Sequence, residues 1–202
     1  MASPESFVSW YRKLWNVEDV DGKGAVAAAE RELGVSLPPL LRDVYLSTSL
    51  RGSQMIHLKE LGELEVQDDV LVFATEQQGC FSWGIELDQL TRKNLALVAD
   101  PRGEWQDDGC SLEDFLRYFA LVNRPYEAPS VSQVGFDERL LKKSWVQHEV
   151  KWRSLQHASL WTNGEAVIEA ETGDLGARDL DALRRAAKSL DVDPEELEDL
   201  EE

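Results

Sequence analysis

Hydrophobic positions in the first quarter of the chain recur every three or four residues, the spacing that places side chains on one face of an α-helix. Three such stripes are formed by Phe7, Trp10, Tyr11 and Leu14, by Val26, Ala29 and Leu33, and by Leu41, Val44 and Tyr45. Ser3 predicts the N-cap of the first helix, Pro4 its first residue, and Gly34 the left-handed residue after the second helix. The pattern therefore predicts three consecutive amphipathic helices.

From residue 55 onward the apolar runs become short and are separated by polar or glycine-containing turns. They occupy residues 55–58, 70–74, 80–87 and 95–99. Runs of this kind predict strands, and their short connections favour antiparallel pairing. Ser111 with Asp114 then predicts a capping box. The stripe that follows predicts an amphipathic helix ended by Pro125, with the apolar positions Leu112, Phe115, Leu116, Phe119 and Val122.

The last third of the chain is less regular. Residues 125–132 are rich in Pro and Ser, which indicates a linker. Asn163 and Gly164 separate the apolar runs 159–162 and 166–171, and this pair favours a hairpin with a type I′ turn. A last helix stripe is formed by Leu180, Leu183, Ala187 and Leu190. We therefore expect a core over residues 1–125, an extension of hairpin and helix over 126–190 that packs on the core, and an acidic tail over 191–202.

Charge is the most unusual property of the composition. The 202 residues include 39 acidic and 21 basic side chains, so the formal net charge is -18. Such a field repels nucleic acid and anionic membranes and attracts basic partners. Two interpretations stay open, because acidity also serves solubility or a high-salt habitat. In the same way, residues 191–202, with eight acids and no base, are either a solvated tail or a partner-binding arm.

Cysteine usage and apolar runs indicate where the chain resides. Cys80 and Cys110 lack metal-ligand spacing, while a disulfide between them stays open. Cys80 lies in an apolar run, so we expect it in the core. The first fifteen residues contain no unbroken apolar segment typical of a signal peptide, and no run is long enough to span a membrane. We expect a cytoplasmic protein that folds without metals or disulfides.

The sequence contains no convincing catalytic motif. Gly79 and Gly84 have the spacing of a phosphate loop, but Ile85 and Glu86 stand where Lys and Ser or Thr are required. No zinc-ligand spacing links the three histidines His57, His148 and His157, which we interpret as structural or surface residues.

One set of residues has the composition of a metal-dependent nuclease site, in which two carboxylates hold a divalent ion and a lysine orients water. This set is Asp137, Glu149 and Lys151. The residues around Glu149 do not predict the buried hairpin that such a site uses, and the net charge opposes a DNA ligand. We therefore predict no catalytic, cofactor-binding or metal-binding residue, with the nuclease as the enzymatic alternative.

Two short segments carry a resemblance to a known family. Residues 25–45 contain Leu-Gly at 33–34 and Leu-Pro at 37–38 between two amphipathic helices, and residues 76–79 read Glu-Gln-Gln-Gly shortly before Trp83 and Gly84. This pair of signatures resembles the SMI1/KNR4 (SUKH) superfamily over about residues 25–122. Gln77 replaces the usual Asn, and residues 47–50 stand where members often have a Gly-Gly turn. The resemblance implies an α+β fold whose mostly antiparallel sheet is flanked by helices.

The resemblance also implies a function. It implies a protein-binding module without enzymatic activity and, for a bacterial member, an immunity protein that neutralises a toxin such as a nuclease or deaminase. The alternative is a scaffold or regulatory adaptor for an endogenous partner. An acidic surface suits a basic toxin domain and disfavours direct nucleic acid or membrane binding. The oligomeric state is left open.

Candidate partner-binding residues come from two acidic segments, interpreted as loops beside the sheet, and from the second signature. Trp105 is the expected aromatic anchor. The Trp83 ring is expected either in the core or beside a groove, and Glu76 either caps backbone amides or contacts a base. The full set of candidates is Asp68, Asp69, Glu76, Trp83, Glu104, Trp105, Asp107 and Asp108.

Overall fold

The computed structural model describes residues 6–17, 21–47, 55–92, 95–100, 103–127, 129–149, 159–193 and 197. Across these residues the protein combines α-helices with antiparallel sheets, which confirms the α+β fold class expected from the sequence. The chain divides into two compact units. The A unit comprises the described residues of Val17–Phe119, and the B unit comprises those of Met1–Asn16, Ala120–Val150 and His157–Glu202.

The A unit is built on an antiparallel sheet with the strand order β1-β3-β4-β5-β6, in which β2 also pairs with β3. Its strands are β1 Ile56–Leu58, β2 Glu65–Gln67, β3 Val70–Glu76, β4 Ser82–Glu86, β5 Ala96–Ala99 and β6 Gln106–Ser111. Two helices, α2 Lys23–Leu33 and α3 Pro39–Ser47, precede the sheet, and α4 Leu112–Asn123 follows it.

The junction between α2 and α3 forms as the Leu-Gly and Leu-Pro pairs predict. Gly34 takes a left-handed φ of 72° and donates its N–H to the Glu30 carbonyl, which ends α2. The Glu30 carboxylate accepts the Leu37 N–H at 3.0 Å and pairs with Arg42 at 3.4 Å. Val44 and Tyr45 are buried on α3. Glu30, Gly34 and Tyr45 of this signature therefore have structural roles.

The core side of the A sheet is closed by α4. Its N-terminus is the predicted capping box, because the Asp114 N–H donates to Ser111 Oγ at 3.1 Å and the Ser111 N–H to Asp114 Oδ2 at 3.4 Å. The Phe115 ring lies 5.2 Å from the Phe73 ring, edge to face, and 5.4 Å from the Trp83 ring. These three fully buried rings account for much of the apolar packing between helix and sheet.

Three features of the A unit differ from the sequence prediction. Strand β2 is exposed along its length, so no apolar pattern indicates it. Gln106–Ser111, interpreted as part of an acidic loop and a helix start, is strand β6. Cys80, expected in the core, is exposed in the turn between β3 and β4, where Gly79 has a φ of 71°.

The B unit contains a second antiparallel sheet, with the strand order β7-β11-β10-β9-β8. Its strands are β7 Ser130–Val131, β8 Val146–Glu149, β9 Ser159–Thr162, β10 Ala166–Glu169 and β11 Asp174–Ala177, and its helices are α1 Phe7–Trp15, α5 Glu138–Ser144 and α6 Leu180–Ser189. The predicted extension of one hairpin and one helix is thus a five-stranded sheet with its own core.

That core confirms most of the predicted α6 stripe. Leu183, Ala187 and Leu190 are fully buried together with Ala182. Leu180, the first residue of the stripe, is instead 40% exposed, because the apolar face begins after the N-terminal turn of the helix.

The two compact units divide at a different place from the domain boundary expected at residue 125. The division between the units falls inside α4, between Phe119 and Ala120. The presumed linker is structured as well, since Pro125 is buried and Ser130–Val131 pairs with β11. Pro and Ser occur here within a short 3₁₀ turn and a short strand.

The Asn163-Gly164 hairpin is confirmed, but its turn type is not. Strands β9 and β10 pair as predicted, and Gly164 has a φ of 90°. Asn163 keeps an ordinary negative φ, whereas a type I′ turn needs positive φ at both central residues. Its side-chain Oδ1 accepts the N–H groups of Glu165 and Ala166, both at 2.9 Å, and so organises a wider connection.

Helix α1 begins later than predicted. Ser6 is its N-cap and accepts the Ser9 N–H, while Ser3 and Pro4 lie outside the described residues. Phe7, Tyr11 and Leu14 are buried, as expected. In the described part of the chain, no helix has the length and apolar character needed to cross a membrane.

Candidate functional site

The pairing register of the A sheet separates its side chains into two faces. Residues paired across antiparallel strands point to the same face. Gly84 pairs with Val72 and Val98, and Val98 pairs with Asp107, so these four share one face. Trp105 reaches this face too, because its ring lies against Gly84. We call this the pocket face, and the side covered by Phe115 the core face.

Trp83 and Asp108, two of the predicted partner-binding residues, belong to the core face and not to the pocket face. Trp83 is fully buried, and its Nε1–H donates to Asp108 Oδ2 at 3.1 Å. Asp108 itself is only 2% exposed. The pair satisfies two polar groups inside the core, which is the condition under which a buried carboxylate is tolerated. Neither side chain is accessible to a partner.

Asp68 and Asp69 form the tight turn between β2 and β3. Gln67 pairs with Val70, so the turn has two residues, and both have positive φ, 50° and 63°. These values are typical of a type I′ turn, which Asp tolerates better than most residues but less well than Gly. Both carboxylates are consequently exposed at the tip of a hairpin.

The turn forms one wall of an open pocket of about 500 Å³. The pocket is lined by Asp68, Asp69, Val70, Glu86, Leu87, Asp88 and Trp105. Four of these side chains are carboxylates and none is basic. Within the described residues, none of the four carboxylates forms an ion pair or a side-chain hydrogen bond. Among the described residues, no side chain pairs with these four negative charges, and all four carboxylate residues are exposed.

Trp105 lies against Gly84. A Cβ at residue 84 would lie 2.2 Å from Val70 Cγ1, 3.0 Å from the Leu71 carbonyl oxygen and 3.4 Å from Trp105 Cη2. Because the φ of Gly84 is not positive, glycine is needed here for space and not for conformation. The absent side chain lets the indole approach the strand backbone. The ring is partly exposed, while its Nε1 is buried and has no hydrogen-bond partner among the described residues.

The other predicted site residues lie outside the pocket lining. Glu104 and Asp107 are exposed, and Asp107 Oδ1 accepts the Gly109 N–H at 2.8 Å. Glu76 is partly buried at the end of β3, and its buried Oε2 has no hydrogen-bond partner in the described part of the chain. Their roles in partner binding stay predictions.

Glu86 and Asp88 are pocket residues that the sequence reasoning did not select. Glu86 is the exposed last residue of β4, and Asp88 follows in a 3₁₀ turn. The available signal was the alternation along residues 83–86, which places Glu86 on the face opposite Trp83 and Ile85. Pairing of Glu86 with Val70 then brings it next to the Asp68-Asp69 turn.

The residues considered for a nuclease site do not form a cluster in the described part of the chain. In the described residues, no group of three or more His, Cys, Asp or Glu side chains could hold a metal ion. Asp137 caps α5 and pairs with Arg139, and this hydrogen-bonded guanidinium lowers the pKa of the carboxyl to about 2. Glu149 lies on β8, whereas Lys151 is outside the described residues.

His57 and the cysteines are similarly placed. His57 Nε2 lies 2.8 Å from Glu63 Oε2, and the pKa of Glu63 is lowered by the Glu60 backbone N–H and by His57. His148 is partly exposed on β8, while His157 lies outside the described residues. Both cysteines are free, and burial raises the pKa of the Cys110 thiol, so this group is a poor nucleophile.

Comparisons with known proteins add no relative. No protein-family model, curated protein or solved structure matches this chain. The function is therefore inferred from the pocket and from the two sequence signatures.

Proposed function

We propose that this protein is a cytoplasmic immunity protein of the SMI1/KNR4 type, which binds and neutralises a basic toxin domain through the pocket of its A unit. The observation that carries the proposal is the pocket lining, which among the described residues combines four carboxylates and a partly exposed tryptophan without a basic side chain. The protein has no catalytic role in this proposal, and its partner is a protein.

Electrostatics supports a basic partner. Nuclease and other nucleic-acid-modifying toxins need basic clefts for phosphate groups, and uncompensated carboxylates can occupy such a cleft in place of phosphates. Charge complementarity of this kind raises association rates by factors of about 10 to 10³ and makes them sensitive to salt.

The tryptophan supplies what charge alone does not. Interface energy is concentrated in a few residues, with Trp prominent among them, surrounded by polar groups that exclude water. Trp105 lines the pocket together with the four carboxylates. This arrangement favours a specific contact over general solubility, to which an apolar ring contributes nothing.

The test begins with the partner. Genes that neighbour the gene for this chain are screened for a toxin. Each candidate toxin is co-expressed with this chain, and cell survival and complex formation are scored. We expect the chain to restore growth and to bind the toxin domain, with association slowing as salt rises. A chain that binds an endogenous non-toxic protein instead would support the scaffold alternative, and DNA cleavage with manganese that is lost in Glu149→Gln would support a nuclease.

A pair of quadruple variants isolates the pocket charges. The pocket variant carries Asp68→Asn, Asp69→Asn, Glu86→Gln and Asp88→Asn. The control removes four exposed charges elsewhere, through Glu32→Gln, Asp43→Asn, Glu138→Gln and Asp191→Asn. Both have the same net charge. We expect toxin association to slow at least about tenfold in the pocket variant and much less in the control. Equal rates for the two variants would exclude the pocket as the binding site.

A further inference from the structure

We propose that the pocket receives one arginine side chain of the partner, whose guanidinium stacks on Trp105 and pairs with the surrounding carboxylates. This inference depends on the proposed function and specifies the chemistry of its contact. The pocket offers two kinds of surface. Trp105, Val70 and Leu87 are apolar, and Asp68, Asp69, Glu86 and Asp88 are negative.

An arginine side chain matches both surfaces at once. Its methylene stem packs on apolar groups, and its planar guanidinium stacks on an indole face and donates up to five hydrogen bonds to carboxylates. Cation–π attraction is strongest for Trp among the aromatic residues. The four carboxylates have no ion pair within the described residues, so an arriving guanidinium has no cation of these residues to displace.

The size of the pocket indicates that the arginine arrives as part of a protein segment. A volume of about 500 Å³ is in the range of small-molecule sites and exceeds what one side chain fills. The pocket is open, so the backbone on both sides of the arginine can lie along its rim. Lysine matches less well, since its compact and strongly hydrated ammonium neither stacks nor forms a fork with carboxylates.

The indole nitrogen gives a second reason to expect a peptide segment. Trp105 Nε1–H is buried without an acceptor among the described residues, which is costly for a polar group. A metal ion or a free amine brings no acceptor. A peptide brings a carbonyl oxygen with each residue, and we expect one of these oxygens to accept from the indole N–H in the complex. Binding should therefore change the hydrogen bonding of this N–H.

The experiment uses the full chain labelled with ¹⁵N and blocked tripeptides Gly-Arg-Gly, Gly-Lys-Gly and Gly-citrulline-Gly. Citrulline has the shape of arginine without its charge. The Trp105 indole signal is assigned by its loss in Trp105→Phe. We expect the arginine peptide to shift this signal saturably, with binding about tenfold weaker for the lysine peptide and weaker still for citrulline. Equal binding of all three peptides, or no shift with arginine, would overturn the proposal.

Variants separate the two surfaces of the pocket. Asp68→Asn with Asp69→Asn should weaken arginine-peptide binding several-fold, whereas the charge-matched Glu32→Gln with Asp43→Asn should not. Trp105→Phe keeps an aromatic face and should retain most of the binding, measured by the shifts of the backbone amides of Glu86 and Leu87. Retention of full binding in Trp105→Ala, with a native circular dichroism spectrum, would contradict the stacking contact.

Failure of the arginine contact and failure of the proposed immunity function would give different results. A cognate toxin that binds equally well to the wild type and to Trp105→Ala would refute the arginine contact and leave immunity intact. Absence of any toxin partner, together with selective arginine-peptide binding, would refute immunity and leave the pocket chemistry.

Discussion

The two sheet-containing regions of this protein differ sharply in charge, although both contain an antiparallel sheet. Val17–Phe119 contains 20 acidic and 9 basic residues, whereas residues 120–190 contain 10 of each. The remaining excess of acid lies in the tail, residues 191–202, with eight acids and no base. Adaptation to salt or a general need for solubility would acidify both regions alike. The concentration of acid around one sheet instead favours a local function for it.

The pocket carboxylates also differ from the acids that stabilise the fold. Glu30 and Asp114 have such a role in the A unit, and two further examples lie in the B unit. Asp179 caps α6, and Glu165 pairs with Arg178 at 2.9 Å and with Arg185 at 3.0 Å. In the A unit, the four pocket carboxylates form no such bond within the described residues. Negative charges gathered without compensation reduce the stability of the folded state, which makes their clustering informative about function.

The largest effect that we expect in the A unit comes from two neighbouring aspartates on opposite faces of β6. Asp108→Ala leaves the buried Trp83 N–H without this acceptor and should lower the free energy of unfolding by about 2–3 kcal/mol. Asp107→Ala removes an exposed side chain and should cost less than about 1 kcal/mol. Urea unfolding of both variants measures the difference. Similar losses would show that the two aspartates are not separated into a core face and a pocket face.

This pair also explains what the sequence could not reveal about the site. The segment Gln106–Ser111 has polar residues at most positions, so apolar alternation is absent, and its one buried carboxylate is compatible with the core only because Trp83 donates to it. When this segment is interpreted as a loop, the sequence gives no reason to distinguish Asp107 from Asp108. Because the segment pairs with β5 as a strand, the two side chains lie on opposite faces of the sheet. The hydrophobic pattern cannot predict that a polar residue is buried when its hydrogen-bond partner is 25 positions away in the sequence.

Other parts of the site were predictable. Asp68, Asp69 and Trp105 were selected from acidic segments and an aromatic anchor, and all three line the pocket. What could not be derived is the register that brings Glu86 beside the Asp68-Asp69 turn, because hairpin register depends on the turn. Helices α2, α3 and α4 were predicted since each has an apolar stripe. Gly34 also marks the end of α2, and the Ser111-Asp114 pair marks the start of α4. The extent of the B unit was missed because its strands are short and several lie between turn-forming residues.

An intermediate effect is expected in the B unit, where Asp179 caps α6. Its Oδ1 accepts the Ala182 N–H at 2.7 Å, and this bond, with Arg178 as a further cause, lowers the pKa of Asp179. Asp179→Ala should cost about 1 kcal/mol at neutral pH. A carboxyl whose folded-state pKa is lowered stabilises the fold above its unfolded-state pKa, and this contribution disappears as pH falls through the folded-state pKa.

The pH dependence supplies the control. The difference in unfolding free energy between wild type and Asp179→Ala should therefore shrink in acid. Asp179→Asn keeps a hydrogen-bond acceptor but has no charge that titrates, so the difference between Asp179→Asn and Asp179→Ala should depend less on pH. Thermal or urea unfolding across the acidic range measures both. A difference that stays constant as pH falls would argue against a charged cap.

The smallest effect compares the two turns. Asp69 adopts a φ of 63° and makes no side-chain hydrogen bond among the described residues, so Asp69→Gly should relieve backbone strain and, after the entropic cost of glycine, stabilise the protein by about 0.5 kcal/mol. Asn163 has an ordinary φ and its Oδ1 accepts two backbone N–H groups, so Asn163→Gly should cost about 0.5–1 kcal/mol. Substitution by glycine should therefore raise the free energy of unfolding in one turn and lower it in the other, and urea unfolding of both variants measures this. Because Asp69→Gly also removes a pocket charge, a variant that is more stable yet slower to associate with the partner would indicate that the strained aspartate is retained for binding.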